Sequence, residues 1–221
     1  GLYASIAGIL KARTGAHEVI TTIMLNYVVY RLSEWLLCGP LEFTQGTCRT
    51  RDTLETAFLP RFLDHPVTVH WGFVLALVAA VAVGWFLFRT KWGFELRTVG
   101  ANPNAARYSG MSVGKTFTLA MFLSGGLAGM GGAVQGLGIT HNIALGFQSG
   151  YGFDAIALAL LGKSHPAGVV AASLLFGMLR AGAACMQSVA SVPTEIVQIV
   201  QALVIVFLAA PALIQPLYRL R

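Results

Sequence analysis

The sequence predicts an all-α polytopic membrane protein, and three observations support that fold class. Of the 221 residues, 56% are hydrophobic and only 11% are charged, and the mean hydropathy is +0.69. Several apolar runs reach the ~18 residues that a membrane-spanning helix needs. The charged residues collect at the ends of these runs, most densely between residues 89 and 115. Together these features exclude an ordinary soluble domain.

We expect about six membrane segments plus a truncated first one. Residues 1–10 are typical of the end of a helix, which Lys11 and Arg13 close. Because the chain begins with Gly1, in what looks like mid-helix, we expect the first helices of a longer protein to precede it. The full-length spans are predicted at about 17–37, 70–88, 116–137, 167–186 and 193–214.

The remaining segment is predicted to be a broken or half-inserted helix. Residues 138–150 are rich in glycine and polar residues, and the apolar run 151–161 is too short to span a bilayer alone. Irregular backbone is tolerated at membrane depth where protein or a cavity surrounds it. The span before it carries small residues at four-residue spacing, which favours close helix packing. These are Ser124, Ala128, Gly132 and Gly136, and Gly125 with Gly129.

Residues 38–69 are predicted to form an external loop. They contain three prolines, and their three arginines are nearly balanced by four acidic residues. Cys38 and Cys48 lie ten residues apart in this loop, so a disulfide and a pair of free thiols are both open. A disulfide that closes so short a loop would contribute ~2–3 kcal/mol.

Residues 89–115 are the most charged stretch and are predicted to lie in the cytoplasm. With this topology, ten Lys and Arg residues fall inside, three fall outside, and Arg31 and Arg180 lie near the outer ends of their helices, which agrees with the positive-inside rule. A short helix is predicted here, because Asn102 suits the N-cap, Pro103 the first turn and Gly110 the position after the end. Gly100 and Gly110 are expected to free the backbone at its two ends.

Three blocks of sequence resemble the permeases of ABC importers for nucleosides and simple sugars. The first is residues 93–100 (GFELRTVG) with 102–103 (NP), 105–108 (AARY) and Gly110, which looks like their cytoplasmic coupling loop. The second is residues 18–27 (EVITTIMLNY), and the third is residues 150–162 (GYGFDAIALALLG). The resemblance covers nearly the whole chain, so it implies one permease domain over residues 1–221.

This resemblance implies a set of partners and a cargo. The permease would work with cytoplasmic ATP-binding subunits, a second permease subunit and an extracytoplasmic substrate-binding protein, within the lipid bilayer of the cytoplasmic (inner) membrane. The cargo would be a nucleoside, a purine or a simple sugar. The residues expected to couple to the ATPase are Gly100, Asn102, Pro103, Ala105, Ala106, Arg107 and Gly110. Ala105 and Ala106 would offer the partner a small surface.

Polar residues inside spans are the candidates for the translocation path, because lipid burial would be costly. We expect this path to include Asn26, Tyr27, Gln135, Phe153 and Asp154, with Asn26 and Asp154 meeting near the midplane. Hydrogen bonds between helices are the alternative for the polar residues, and packing is the alternative for the aromatic ones. We interpret Arg31 and Glu34 as an interfacial ion pair rather than a substrate contact.

The sequence gives no reason to expect an enzyme. The histidines and cysteines lack metal-ligand spacing, and no cofactor site or pairing of nucleophile and base stands out. Residues 109–116 depart from a phosphate-binding loop at the first glycine and precede a membrane span, so ATP hydrolysis is assigned to a separate subunit. Nucleic acid is not an expected partner. An ion-coupled secondary transporter remains an alternative; it needs a charge deep in a span, and only Asp154 qualifies. A membrane scaffold without transport fits the polar residues inside the spans poorly.

Overall fold

The computed structural model describes residues 1–15, 17–43, 46–63, 69–147 and 150–190, together with 196, 199, 202 and 203. The chain divides into two compact units, residues 1–149 and 150–221. The first contains helices α1 (Leu2–Thr14), α2 (Glu18–Leu37), α3 (Trp71–Arg89), α4 (Lys91–Ala101), α5 (Pro103–Tyr108) and α6 (Val113–Gln135). The second contains α7 (Tyr151–Leu161) and α8 (Pro166–Ala190).

The predicted helical class is confirmed, with one small exception. Strands β1 (Arg61–Leu63) and β2 (Val69–His70) pair antiparallel, and Arg61 lies opposite His70. Within the described residues, three helices are long and apolar enough to cross a membrane: Trp71–Arg89, Val113–Thr140 and Pro166–Val189. The half-helix expected at 151–161 is α7.

Helix α2 forms over the predicted range but is not one of these three candidate spans. Asn26, Arg31 and Glu34 interrupt its apolar sequence and lower its hydropathy. The span predicted at 193–214 lies almost wholly outside the described residues. The total of about six membrane segments therefore stays a prediction.

Helices α1 and α6 pack closely because small residues face each other along both. A β-carbon built on Gly8 would lie 2.7 Å from Thr118 Cα, and one on Gly114 would lie 3.0 Å from Ala12 Cβ. Gly125 lies against Ala4 in the same way, as its predicted packing role requires. A β-carbon at Gly129 or Gly132 would meet open space among the described residues. Only part of the predicted small-residue stripe therefore makes this contact.

Helix α4 was not expected from the sequence, yet it joins α3 to α5. The Thr90 hydroxyl caps it by accepting a hydrogen bond from the Gly93 N–H at 3.1 Å. Trp92, Leu96 and Val99 recur at the helical spacing that could have revealed it. At Gly93, an added β-carbon would lie 2.6 Å from Leu87 Cα and would also clash with the Phe86 carbonyl. This glycine lets α4 approach the last turns of α3.

The loop 38–69 is fastened to the segment that follows α6. We call residues 136–147 the connector; it begins with the π-helical turn Gly136–Thr140. The Thr50 N–H donates to the Ile143 carbonyl and the Thr53 N–H to the His141 carbonyl, each at 2.9 Å. The Phe58 ring also lies 4.0 Å from the His141 ring. These contacts give the loop a defined position instead of a free excursion.

A polar bond supports the same junction. Asn142 Nδ2 donates to Asp52 Oδ1 at 3.0 Å, and Arg49 pairs with the same oxygen at 2.8 Å. The hydrogen bond from Asn142, followed by the charge of Arg49, holds the pKa of Asp52 below its ordinary value. The carboxylate is therefore in its charged, bonded form at neutral pH.

The structure also joins Cys38, at the end of α2, to Cys48 in the loop, with Cα atoms 4.3 Å apart. Cys185, in the second unit, is a free and exposed thiol. The disulfide ties the end of α2 to Cys48. The Cys48 carbonyl in turn accepts a hydrogen bond from the Leu145 N–H of the connector at 3.4 Å. Helix α2, the loop and the connector are thus linked in series.

We predict that Cys38 and Cys48 are linked in protein purified from an oxidising compartment. Alkylation under non-reducing conditions, followed by peptide mass spectrometry, should show the joined peptides, with Cys185 as the alkylated control. Recovery of both Cys38 and Cys48 as alkylated thiols would remove the disulfide from this account.

We also predict opposite effects for two glycines of α4. Gly93→Val should lower stability by ~1–3 kcal/mol, because the side chain enters occupied space between α3 and α4. Gly100→Ala meets open space in the same helix, so it should leave stability unchanged or raise it by up to ~1 kcal/mol. Thermal unfolding of each variant in lipid nanodiscs measures both effects, and equal melting temperatures for the two would contradict the packing.

Candidate functional site

Helix α5 begins where the sequence predicts, with Asn102 as its N-cap. Asn102 Oδ1 accepts hydrogen bonds from the backbone N–H groups of Asn104 at 3.0 Å and Ala105 at 3.2 Å. Pro103 occupies the first helical position, where its missing N–H costs nothing. The predicted start of the short helix is therefore confirmed.

The end of α5 is closed by backbone bonds around Gly110, which has φ +79°. The Gly110 N–H donates to the Arg107 carbonyl at 3.1 Å, and the Met111 N–H donates to the Ala106 carbonyl at 3.0 Å. This pair of bonds is a Schellman motif, which requires a left-handed residue at the glycine position. Both ends of α5 are thus fixed by local contacts.

Gly100 has a different role from the expected one. It lies in the last turn of α4 with helical backbone, and Asn102 is the residue that turns the chain between α4 and α5. Of the two glycines, only Gly110 has the left-handed backbone conformation, which other residues adopt with strain. The expectation that Gly100 frees the backbone before α5 is therefore wrong.

The two faces of α5 differ sharply in burial. Ala106 is 0% exposed, whereas Tyr108 is 98% exposed. Ala105 and Arg107 are exposed as well. Helix α5 contacts both α4 and α6, which each carry a buried residue of their own, Val99 and Thr116. The Ala106 side chain therefore cannot belong to a docking surface, which corrects the expected pair of small alanines: Tyr108, Arg107 and Ala105 form the outward face.

In the first unit, the predicted path residues divide by exposure. Asn26 and Tyr27 lie on the exposed side of α2, and Asn26 makes no side-chain hydrogen bond with a described residue. Gln135 is half-buried at the end of α6, where its backbone carbonyl accepts a hydrogen bond from the Thr140 hydroxyl at 3.3 Å. Among the described residues, helix-to-helix hydrogen bonding therefore does not account for Asn26.

In the second unit, Asp154 meets a partner that the sequence did not suggest. Arg180 Nη1 donates to Asp154 Oδ2 at 3.2 Å, and its guanidinium lies 4.6 Å from the centroid of the Tyr151 ring. Both charged side chains are about half exposed (46%). Phe153, the neighbouring path candidate, is exposed on α7. The carboxylate, guanidinium and phenol form one polar cluster on an otherwise apolar helix pair.

The direction of helical side chains explains why these residues meet. The short connection at 162–165 makes α7 and α8 a helical hairpin, in which Gly162 lies against Gly168 and Val169. Side chains tilt toward the N-terminus of their own helix. Asp154 therefore leans away from the hairpin turn, and Arg180 leans back toward it. Arg180 follows Pro166 by ~21 Å of helix, so its long side chain closes the remaining distance.

Two functional candidates were missed by the sequence reasoning. Arg180 was predicted only to lie near the outer end of its span. Its pairing could have been suspected because it is the single basic residue of an apolar run, and the half-helix before that run carries a single acidic residue. Tyr108 was part of the motif but was not singled out. No signal in the sequence could have marked it as exposed, because spacing within so short a helix does not tell which face is buried.

Asn26 belongs to the first unit and Asp154 to the second, so their meeting at the midplane stays a prediction. Across the part of the chain that the structure describes, no group of three or more His, Cys, Asp or Glu side chains could hold a metal ion.

Comparison with known proteins agrees with these features. The family described as "Branched-chain amino acid transport system / permease component" matches residues 1–209. A guanosine ABC transporter permease protein of Bacillus subtilis is 42% identical over 95% of this chain and 61% of its own length. A nucleoside ABC transporter permease protein of Lactococcus lactis subsp. cremoris is 36% identical over 95% of the chain and 60% of its own.

A glucose ABC transporter permease protein of Haloferax volcanii is 34% identical over 93% of this chain and 57% of its own length. The chain thus spans about three fifths of the length of the curated relatives it matches. No solved structure matches it. The family match over residues 1–209, the apolar helices and the capped helix of the basic segment together show that this chain belongs to the branched-chain amino acid transport system permease family.

Proposed function

We propose that this chain is part of the membrane-spanning permease subunit of an ATP-driven importer for a nucleoside, a purine or a simple sugar. The observation that carries the proposal is α5: a six-residue helix, capped at both ends, buried on one face and fully exposed on the other. Such a rigid projection in a basic segment suits docking into a cytoplasmic ATPase. The names of the three relatives support the cargo class.

Packing contacts connect α5 to α6 and, through α6, to α1. Ala106 fixes α5 against α4 and α6, and α6 packs along α1 through Gly8, Gly114 and Gly125. Because close-packed contacts transmit displacement, a push on α5 moves α6 and α1 together. ATPase closure would in this way become a rigid-body motion of the permease helices, which exposes the path to the two sides in turn.

The substrate would pass polar and aromatic side chains that the isolated chain leaves exposed. Asn26 and Tyr27 of α2 and Phe153 of α7 are such residues, and Asn26 has both a donor and an acceptor for ribose hydroxyls or base edges. Gln135 stands at the end of α6, beside the π-helical turn. We assign these four side chains and Asp154 to the translocation path.

The charge cluster on α7 and α8 disfavours the alternative of an ion-coupled transporter. Such a carrier needs an acid in the membrane that gains and loses a cation during each cycle. Asp154, the acid that qualified for this role, is neutralised by Arg180 at 3.2 Å. A proton or sodium ion would have to displace that guanidinium first, so coupling through Asp154 is a poor fit.

The remaining assignments follow from the same proposal. The protein lies in the cytoplasmic membrane. Its basic segment 89–115 faces the cytoplasm, as the distribution of Lys and Arg favours. The loop 38–69 faces outward, toward a substrate-binding protein. A second permease subunit completes the pathway, and ATP hydrolysis belongs to the ATP-binding subunits.

We predict that Tyr108→Ala uncouples the transporter. A fully exposed aromatic side chain at a docking helix is the kind of residue that contributes ~2 kcal/mol or more to an interface. Substrate-stimulated ATP hydrolysis by the complete transporter in proteoliposomes should therefore fall by about tenfold or more. Thermal stability should not change, because Tyr108 has little intramolecular contact.

Two controls separate docking from folding. Trp92→Ala removes another exposed aromatic of the same segment, from α4, and should keep most of the stimulated activity. Ala106→Trp inserts a large ring into a buried site and should lower stability by ~1–3 kcal/mol or more before any docking is tested. Normal stimulated hydrolysis in Tyr108→Ala would contradict the docking role of α5.

A further inference from the structure

A cavity of about 190 Å³ lies between the last two turns of α2 and the connector. Its α2 wall consists of Tyr30, Ser33, Glu34 and Leu37, and its connector wall runs from Ile143 to Phe147. The cavity is smaller than the ~300 Å³ or more that drug-sized ligands occupy, so it has room for one small ring. It is separate from the path residues discussed above.

The α2 wall presents polar groups on a single helical face. Tyr30, Ser33 and Glu34 are related by three and four positions, so a phenol, a hydroxyl and a carboxylate line the same side. Glu34 Oε2 accepts from Arg31 Nη1 at 2.7 Å, which confirms the predicted ion pair. Among the described residues that is the only side-chain hydrogen bond of this carboxylate, so its other oxygen can accept a ligand hydroxyl.

The connector wall is held in shape from both ends. The Leu145 N–H donates to the Cys48 carbonyl at 3.4 Å, and the Phe147 N–H donates to the Ala144 carbonyl at 3.1 Å. Gly146 has φ +89°, which turns the chain so that Phe147 also lines the cavity. Opposite the polar wall, the cavity therefore has an aromatic ring and an aliphatic surface.

We propose that this cavity binds the ring of a sugar, as free pentose or as the ribose of a nucleoside. Two neighbouring hydroxyls of a sugar can donate to a carboxylate, and charge-assisted bonds of this kind are stronger than neutral ones. The apolar face of the ring would pack on Phe147, and Tyr30 and Ser33 would bind the remaining hydroxyls. The inference deepens the proposed function and rests on it for the identity of the cargo. It reverses one part of the sequence interpretation: Glu34 keeps its ion pair with Arg31 and also becomes a substrate contact.

The site lies at the end of α2 that adjoins Cys38 and the loop 38–69. In the proposed topology this end faces outward. The cavity would then be the first place on the permease that holds the sugar, before the path residues deeper along α2. Recognition of the ring and not of an attached base suits a protein whose relatives are named for both guanosine and glucose transport.

Glu34→Gln and Arg31→Ala test this assignment as a matched pair. The complete transporter is assembled in nanodiscs without ATP or binding protein, and binding of radiolabelled guanosine and of D-ribose is measured at equilibrium. Glu34→Gln should weaken both by about tenfold, because an amide replaces the charged acceptor. Arg31→Ala breaks the same exposed ion pair but keeps the carboxylate, so binding should change by less than about threefold.

The diol supplies a second arm of the test. 2′,3′-Dideoxyguanosine lacks both hydroxyls, so it should bind wild type about tenfold more weakly than guanosine and should not distinguish wild type from Glu34→Gln. Equal losses in Glu34→Gln and Arg31→Ala would assign Glu34 to the ion pair alone and overturn the site. Unchanged binding in Glu34→Gln would also overturn it.

These outcomes are distinct from a failure of the proposed function. If wild type binds D-ribose through Glu34 but reconstituted vesicles show no ATP-dependent uptake, the cavity assignment holds and the transport proposal is wrong. If uptake is ATP-dependent but Glu34→Gln binds like wild type, the transport proposal holds and the cavity assignment is wrong.

Discussion

The burial of one methyl group, that of Ala106, fixes the part of this protein on which the account of function depends. With Ala106 at 0% exposure, α5 is held against α4 and α6 and presents Tyr108 outward. The cap at Asn102 and the left-handed Gly110 close the two ends of this six-residue helix. Since α6 also packs along α1, helices α5, α6 and α1 form one packed body.

The second unit obeys a different constraint: a charge among apolar helices needs a partner. Arg180 supplies one for Asp154 and also lies against the Tyr151 ring. Removal of either charge would leave the other unpaired, which is costly in a low-dielectric environment. The paired state suits a permease that is driven by an external ATPase, because the pair then need not exchange ions during transport.

Local features were the ones predictable from sequence. Long apolar runs predicted α3, α6 and α8. The caps of α5 were predictable because Asn102, Pro103 and Gly110 act on residues only a few positions away. Helix α4 was missed because Gly93 and Gly100 lower its helical propensity. The burial of Ala106 and the partner of Asp154 depend on contacts between distant segments. Neither single-residue propensity nor spacing reveals which face of a six-residue helix turns inward.

An uptake assay that varies the energy source tests directly whether transport is driven by ATP or by an ion gradient. The complete permease, assembled with its ATP-binding subunits in proteoliposomes, is supplied with its binding protein and radiolabelled nucleoside, with ATP present or absent and with ionophores added or omitted. For an ATP-driven importer, we expect uptake that requires ATP and persists when proton and sodium gradients are dissipated. Uptake that proceeds without ATP and disappears with the ionophores would contradict the ATP-driven mechanism.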